Sequence, residues 1–138
     1  MDSFAIFKVS ASALDAQRGR MNTIASNMAN INSTQTEAGG PYKKKECVFS
    51  TLPIDSENPS TLEGVKLVQI VDSQEPFKKI YDPGHPDADK EGFVNVPNIN
   101  IMEEMVNMMM AVRAYEANVT TFNMSKTMFL KALEIGRF

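Results

Sequence analysis

Residue types that carry covalent or metal chemistry are scarce in this chain. Its 138 residues include one cysteine, one histidine and no tryptophan. Because a single cysteine cannot form an internal disulfide, Cys47 neither requires nor excludes an oxidising compartment. Cys47 and His85 are the only pair available for a cysteine nucleophile and its base. Cys47 falls within a predicted strand, which favours a buried structural thiol over a reactive one.

The chain also lacks an excess of basic residues and long apolar runs. Its formal net charge of −3 and its pI of about 5.2 do not favour binding to nucleic acid or to an anionic membrane surface. No apolar run approaches the ~20 residues that span a bilayer, so the protein is not expected to be membrane-spanning. The first residues lack the basic segment and apolar core of a cleavable secretory signal. If the protein leaves the cytoplasm, we expect a different export route.

One stretch superficially offers metal ligands. Residues Asp82 to Asp89 combine carboxylates with His85, and the acidic residues from Asp87 onward resemble the start of a calcium-binding loop. The twelfth position of that loop would be Asn98 rather than the required glutamate. The sequence therefore favours a turn held by proline and by aspartate side-chain bonds. No metal or other cofactor is expected.

The glycines and lysines from Gly39 to Lys45 do not form a phosphate-binding loop. The spacing GxxxxGK[ST] and the helix that should follow it are both missing. The three lysines, Lys43, Lys44 and Lys45, favour the solvated start of a strand, with contact to an anionic partner surface as the alternative.

Both ends of the chain instead carry an apolar stripe at helical spacing. The C-terminal stripe advances in steps of four and three and consists of Ile101, Met105, Met108, Val112, Tyr115, Val119, Phe122, Lys126, Phe129 and Leu133. The N-terminal stripe has the same steps and consists of Phe4, Phe7, Ala11, Leu14, Arg18, Met21, Ala25 and Met28. Such heptad spacing predicts two long helices that pair with each other.

The segment between the stripes has a different character. Tyr42 to Leu52, Val65 to Val71, Phe77 to Tyr81 and Phe93 to Val96 are rich in β-branched and aromatic residues and predict a small antiparallel sheet. A polar loop is predicted from Ile54 to Leu62. The predicted fold class is α+β, with long terminal helices paired as an antiparallel coiled-coil-like bundle and a small β module between them. The predicted division is a helical domain (1–32 and 99–138), a linker (33–41) and a β-rich outer domain (42–98).

Signals at the helix ends set their expected bounds. The first helix is predicted from about Phe4 to Ile31, and Gly19 inside it indicates a close neighbour because glycine destabilises a helix interior. The second is predicted to begin at an Asn100 cap, with Glu103 completing a capping box. Gly136 is expected to end it in a left-handed conformation.

Arg18, the polar residue of the N-terminal stripe, suggests how the helices are aligned. An antiparallel hairpin that brings Ile31 near Ile101 places Arg18 beside Tyr115 and Glu116. We hypothesise that Arg18 pairs with Glu116 and fixes the register. The alternative is that Arg18 reaches solvent or bonds Asp15 on its own helix.

Apolar residues outside the two stripes widen the surface beyond what one partner helix can cover. They are Ile24, Ile31, Met102, Met109, Met128 and Ile135. Helices from other chains are therefore expected to pack against the pair. The predicted assembly interface comprises Phe7, Leu14, Arg18, Met21, Met28, Ile101, Met105, Met108, Val112, Tyr115, Glu116, Val119, Phe122, Phe129 and Leu133.

Four segments resemble the bacterial flagellar axial proteins, the family of rod and hook subunits. They are Ser10 to Asn32 (SASALDAQRGRMNTIASNMANIN), Gly39 to Lys44 (GGPYKK), Asp82 to Gly92 (DPGHPDADKEG) and Val96 to Arg137, which contains EEMVNMMMAVRAYEAN. The resemblance implies that the terminal helices form an inner tubular layer and the middle segment a small outer domain. It also implies export through the flagellar type III apparatus and assembly in the periplasmic part of the basal body.

The function that the resemblance implies is structural. The chain would be a subunit of the basal-body rod, in its proximal part, polymerising through its terminal helices and transmitting torque. Its partners would be further copies, other rod proteins and the adaptor between the rod base and the MS ring. No enzymatic activity is expected. Two alternatives remain at this point: a helical adaptor or chaperone-like module that forms finite complexes, and a cell-wall hydrolase, for which no pair of carboxylates is recognisable.

Overall fold

The computed structural model describes residues 4–54 and 62–136 and contains two helices and four strands within those ranges. In chain order these elements are α1 (Ala5–Ala29), β1 (Lys45–Pro53), β2 (Glu63–Asp72), β3 (Lys78–Tyr81), β4 (Phe93–Val96) and α2 (Ile101–Ile135). The predicted α+β class, with a β module between two long helices, is confirmed. Most of the predicted loop from Ile54 to Leu62 lies outside the described residues.

The helices pack against each other in an antiparallel arrangement. At one end the rings of Phe4 and Phe129 lie 6.0 Å apart, and at the other Asn27 bonds Glu104 at 3.0 Å. These contacts place the C-terminal end of α1 beside the N-terminal end of α2, as predicted. The register agrees with the prediction to within about one helical turn.

The strands form two separate hairpins rather than the single sheet that was predicted. β1 pairs with β2 from Lys45 opposite Asp72 to Pro53 opposite Glu63, and β3 pairs with β4 from Lys78 opposite Val96 to Tyr81 opposite Phe93. Pro76 lies in the connection from β2 to β3, where it has no N–H to continue a ladder. This connection therefore separates the two hairpins.

α1 is the central element because α2 and the β1–β2 hairpin both pack against it. Gly19 of α1 has the close neighbour that the sequence predicted: a Cβ at this position would lie 2.7 Å from Cδ2 of Leu67 in β2. Nearby, Ser12 Oγ accepts a hydrogen bond from Val65 N at 3.2 Å. The thiol of Cys47, in β1, is half-buried and donates to Thr23 Oγ1 at 3.2 Å. Small residues on this face of α1 let the hairpin approach closely.

Of the predictions for the ends of α2, the N-cap is confirmed, whereas the capping box and the left-handed conformation of Gly136 are wrong. Asn100 Oδ1 accepts a bond from Met102 N at 3.1 Å, as expected for an N-cap. Glu103 does not close the capping box, because its carboxylate accepts a bond from Lys44 at 3.3 Å. Gly136 has φ −79°, so it is not left-handed, and its N–H continues the helical pattern to Ala132 O.

The loop between β3 and β4 is the aspartate-held turn that the sequence predicted. Asp82 Oδ1 accepts from Gly84 N, and Asp89 Oδ1 accepts from both Glu91 N and Phe93 N at 2.9 Å. Gly92 takes φ +83°, where Tyr81 leaves no room for a Cβ. These bonds to Asp89 hold the pKa of its carboxyl below the ordinary value.

The packing of α1 on β2 predicts that Gly64→Ala destabilises the chain. A methyl group at Gly64 would lie 2.6 Å from Ser12 Oγ and 2.9 Å from Ile54 Cδ1, so Ser12 would have to move and release Val65 N. We expect a loss of about 1–3 kcal/mol in the free energy of unfolding, measured by urea denaturation. Gly84→Ala is the matched control, because its methyl group would meet its nearest atom at 3.6 Å. Equal stability of the two variants would contradict the packing argument.

Candidate assembly surface

The contact between the two helices uses one half of each predicted stripe. On α1 the residues of one heptad position are half-buried, namely Phe7, Leu14, Met21 and Met28. On α2 the matching half-buried residues are Met108, Tyr115, Phe122 and Phe129. The rings of Phe7 and Phe122 meet edge to face at 5.1 Å. Pairing of the chain ends, as predicted from the stripes, is therefore confirmed for this half.

Most of the other half of the stripes is exposed in the isolated chain. The exposed members are Phe4, whose ring also contacts Phe129, with Ala11, Arg18 and Ala25 on α1 and Ile101, Met105, Val112 and Leu133 on α2. Beside its half-buried aromatic residues, α2 also packs a neighbouring series against α1, in which Glu104 and Ala111 are buried and Asn118 and Ser125 half-buried. Ala111 is 0% exposed, and its small side chain lets the axes of the two helices come close.

The first three turns of α2 are apolar on nearly every side that does not face α1. Exposed large residues there are Ile101, Met102, Met105, Val106, Met109, Met110 and Val112, and Met102 is 67% exposed. A helix that is hydrophobic around most of its circumference is normally buried in a larger body. Contiguous apolar surface of this kind marks a site of protein–protein contact.

A buried polar cluster joins α1, α2 and the start of β1. We call it the polar node and define it by Asn27, Tyr42, Lys44 and Glu104. Its centre is Asn27, whose side chain has all four hydrogen-bonding positions filled. Nδ2 donates to Glu104 Oε2 at 3.0 Å and to Lys45 O at 2.9 Å, while Oδ1 accepts from Lys45 N at 2.8 Å and from Tyr42 Oη at 3.2 Å. Asn27 thus pairs with the backbone of β1 as an edge strand would.

Glu104 is a buried charge with two partners. Its side chain is 2% exposed, and Lys44 Nζ lies 3.4 Å from Oε1 while Asn27 bonds Oε2. Lys44 also reaches Glu103 at 3.3 Å. A buried carboxylate is tolerated only when charge and hydrogen-bond partners compensate its loss of water, and both are present here.

The node shifts the pKa values of two of its members. Burial opposes the charge on Lys44, but the hydrogen bond to Glu103 and the charges of Glu104 and Glu103 outweigh it, so the pKa of Lys44 lies above its ordinary value of 10.5. Burial, followed by the charges of Asp72 and Glu104, raises the pKa of Tyr42 above 10.0. Both groups therefore keep their protons at neutral pH.

The hypothesis that Arg18 pairs with Glu116 is wrong for the isolated chain. Arg18 bonds Asp15 on its own helix at 2.9 Å, which was the alternative, and Glu116 bonds Arg113 at 3.0 Å. Arg18 lies on the exposed half of the stripe. The polar contact between the helices is made by Asn27 and Glu104 instead.

Sequence reasoning missed the node, although a signal for it was present. The lysine run was predicted to be solvated, and Lys43 and Lys45 are exposed, but the side chain of Lys44 is only 16% exposed. Glu104, Ala111, Asn118 and Ser125 repeat every seven residues, one position before Met105 and Val112. Because the residues of this series are small or polar, a search for apolar stripes does not find it.

The described ranges meet neither the requirements of a metal site nor those of a membrane-spanning helix. They contain no group of three or more His, Cys, Asp or Glu side chains arranged to hold a metal ion. Within the same ranges neither helix is long and apolar enough to cross a membrane.

Glu104→Ala is expected to destabilise the chain strongly. The change leaves one donor of Asn27 without a partner in a buried site and leaves Lys44 with only the exposed Glu103, and breaking a buried pair in this way costs about 3–5 kcal/mol of unfolding free energy. Urea denaturation followed by circular dichroism measures the loss. Glu103→Ala is the control, because its carboxylate contacts the same lysine but is 56% exposed, and such pairs contribute about 1 kcal/mol or less. A Glu104→Ala effect as small as the control effect would mean that the node is not a stabilising contact.

The raised pKa values predict a loss of stability in alkali. The folded chain holds the protons of Tyr42 and Lys44 more tightly than the unfolded chain does. Their contributions are therefore complete below about pH 10 and disappear as the pH rises through the folded-state pKa values. We expect the urea midpoint to fall as the pH rises above about 10, and to fall less for Lys44→Met than for the exposed control Lys43→Met. Parallel curves for the two variants would argue against a protonated Lys44 in the node.

Comparison with known proteins agrees with this architecture of paired terminal helices. The family model "Flagella basal body rod protein" matches residues 7–35, and "Flagellar basal body rod FlgEFG protein C-terminal" matches residues 90–135. The flagellar basal-body rod protein FlgC of Salmonella typhimurium is 42% identical over 132 residues, covering 96% of each chain. FlgC of Borreliella burgdorferi is 39% identical over 150 residues (98% of each chain), and FlgC of Bacillus subtilis is 39% identical over 153 residues (99% of this chain and 100% of the relative). The chain therefore belongs to the FlgC family of flagellar basal-body rod proteins.

Proposed function

We propose that this subunit of the flagellar basal-body rod polymerises through its two terminal helices, and that the resulting helical array carries torque. The observation that supports this most directly is the open apolar surface of α2, where Met102, Met105, Met109 and Met110 are exposed beside Val106. No residue of the described ranges covers these side chains. Their burial between subunits would supply about 25 cal/mol for each Å² of apolar surface removed from water.

The weakness of the contacts inside one chain also favours assembly. Buried apolar residues in the described ranges are few and mostly small: Ala5, Ala16, Ile24, Val94 and Ala111. The series from Glu104 to Ser125 is small or polar and gains little hydrophobic free energy, and the aromatic and methionine layer beside it is only half-buried. The large side chains of both stripes thus keep exposed apolar surface for neighbouring subunits, which fits a protein whose stable form is a polymer.

In this proposal the predicted interface residues have two roles. Phe7, Leu14, Met21, Met28, Met108, Tyr115, Phe122 and Phe129 form the half-buried layer of the helix pair. Ile101, Met105, Val112, Val119 and Leu133, together with Arg18 and Glu116, contact neighbours. In an array whose contacts repeat around an axis, each subunit offers different surfaces to the copies above and below it.

We further propose the assignments that the flagellar family suggests for place and partners. The two hairpins form an outer domain around a tube of helices, and the node sets how that domain is held. The chain reaches the periplasmic part of the basal body through the flagellar type III apparatus. There it joins the proximal rod, with other rod proteins and the adaptor of the MS ring as neighbours. Nothing in the comparisons or in the described residues points to an enzymatic activity.

Replacing Met105 and Met109 together by glutamate tests the polymerisation. Both side chains are exposed in the isolated chain, so the variant is expected to fold, but two charges would have to be buried between subunits. In cells that lack their own copy of this protein, we expect incorporation into isolated basal bodies to fall to about a tenth or less, with loss of swimming.

Thr120→Glu is the matched control for this experiment. Thr120 is an exposed polar residue of the same helix, and its hydroxyl only donates to Glu116 O. We expect normal incorporation and swimming for it, and circular dichroism checks that both variants are folded. A double variant that enters rods as efficiently as the control would contradict polymerisation through α2. Finite complexes formed by the unaltered chain would instead support an adaptor.

A further inference from the structure

The exposed surface of α2 includes two stripes that lie on opposite sides of the helix. Both are defined by their position relative to the series Glu104–Ala111–Asn118–Ser125, which is buried at Glu104 and Ala111 and half-buried at Asn118 and Ser125. Met105, Val112 and Val119 each follow a member of that series by one residue, whereas Met110, Ala117 and Met124 each precede one. Because one residue corresponds to about 100° of rotation, the two sets diverge to either side of the contact with α1. We call the second set the back stripe.

The first set belongs to a groove shared by both helices. On α1 the exposed residues Ala11, Arg18 and Ala25 each lie four positions after a half-buried one, and on α2 the same step leads from Met108 to Val112. Because the helices are antiparallel and face each other, an equal step along each chain carries both open sets to the same side of the pair. The β1–β2 hairpin contacts α1 on a different side, through Ser12 and Gly19.

This groove has the form that receives a third helix. We define it by its floor of half-buried aromatic, leucine and methionine residues and by its rims: Ala11, Arg18 and Ala25 on one side, and Met105, Val112 and the half-buried Val119 on the other. Ala11 and Ala25 keep the α1 rim low on either side of Arg18, so a helix can approach closely there. A floor already half-buried between two helices is completed when a third helix covers it, as heptad positions are in helical bundles.

We propose that the helix in this groove is α2 of a second copy of the chain, which enters with its back stripe of Met110, Ala117 and Met124. Two observations favour this occupant. The back stripe repeats every seven residues, which matches the repeat of the groove, and Met110 and Met124 are 58% and 60% exposed. Flexible methionine side chains fit the uneven floor of a groove. The groove is also continuous with the contact between α1 and α2, so its occupant extends that layer.

The arrangement explains why assembly does not stop at two subunits. A copy that fills its neighbour's groove still presents its own groove, because groove and back stripe lie on opposite sides of α2. Such a heterologous contact propagates unless its rotation closes a ring. This inference rests on the proposed polymerisation and specifies which two surfaces meet.

Photo-cross-linking in assembled basal bodies tests the occupant. The probe is benzoylphenylalanine in place of Val112, with the same substitution at Lys90, in the exposed β3–β4 loop, as the reference for expression and incorporation. Cells produce the probe chain together with an isotopically labelled unaltered chain, so that bonds between copies are recognised by mass. We expect the probe at Val112 to link to peptides of the labelled copy that contain Met110, Ala117 or Met124. These links should be at least ten times as abundant as those formed by the probe at Lys90.

The other outcomes overturn the inference and leave the proposed function standing. Linkage to a different rod protein would replace the occupant, and linkage to Val112 or Met105 of the labelled copy would mean that grooves meet face to face. An incorporated probe that links only within its own chain would mean that the groove is empty. Failure of the unaltered chain itself to enter basal bodies would instead overturn the proposed function.

A second variant keeps the test informative if the substitution at Val112 prevents folding. Met124→Glu alters the back stripe alone and is expected to abolish the linkage when it is placed on the labelled copy, with the probe then at Met105. Leu130→Glu is the control, since Leu130 is 50% exposed but lies on neither surface. Linkage that survives Met124→Glu, or that is lost equally with Leu130→Glu, would exclude the back stripe as the occupant.

Discussion

The buried carboxylate of Glu104 is the constraint on which the rest of the chain's geometry depends. It lies on α2, it accepts a bond from Asn27 of α1, and it faces the ammonium of Lys44 at the entrance to β1. A charge at 2% exposure tolerates little displacement of its partners, because any partner that moves away leaves an uncompensated ion in a low-dielectric site. Apolar contacts between heptad stripes are less exacting, since a shift by seven residues brings similar side chains together again. The node removes that ambiguity and holds the first hairpin at the same point.

The distribution of side chains around α2 follows from this constraint. Its most buried series holds a charge and small or polar residues, while most of its methionine, valine and leucine residues are exposed. In a protein that functions alone, this order would be reversed. In the proposed assembly the specific polar contact lies inside the chain, and most of the hydrophobic free energy comes from contacts between chains. The subunit can therefore have a defined shape before assembly without using the surface that assembly requires.

Much of the fold could be predicted from the sequence because its signals are local and repeated. The two stripes, the Asn100 cap and the turn at Asp82–Gly92 depend on spacing and on neighbouring side chains, and each was confirmed. The separation of the hairpins and the polar node depend on contacts between distant residues, such as Lys44 with Glu104, that no periodic pattern reveals. The predicted stripe on α2 also omitted the neighbouring series from Glu104 to Ser125, which packs against α1 beside Met108 and Phe122. That omission has a physical cause: this series is small and polar, so hydrophobicity alone cannot identify it.

The two halves of α2 differ in how strongly contacts within the chain support them. Its first half is fixed by the node, the N-cap and the close packing of Ala111. From Asn118 to Thr127 the side chains of Asn118, Thr120, Thr121, Ser125 and Thr127 bond the carbonyl four residues earlier. Such bonds weaken a helix slightly, and β-branched residues lower its propensity further. Beyond this segment Leu130, Leu133 and Ile135 are exposed, so in the isolated chain little tertiary packing supports the last turns. In the proposed polymer neighbouring subunits cover these last turns, which would couple their stability to the growth of the rod.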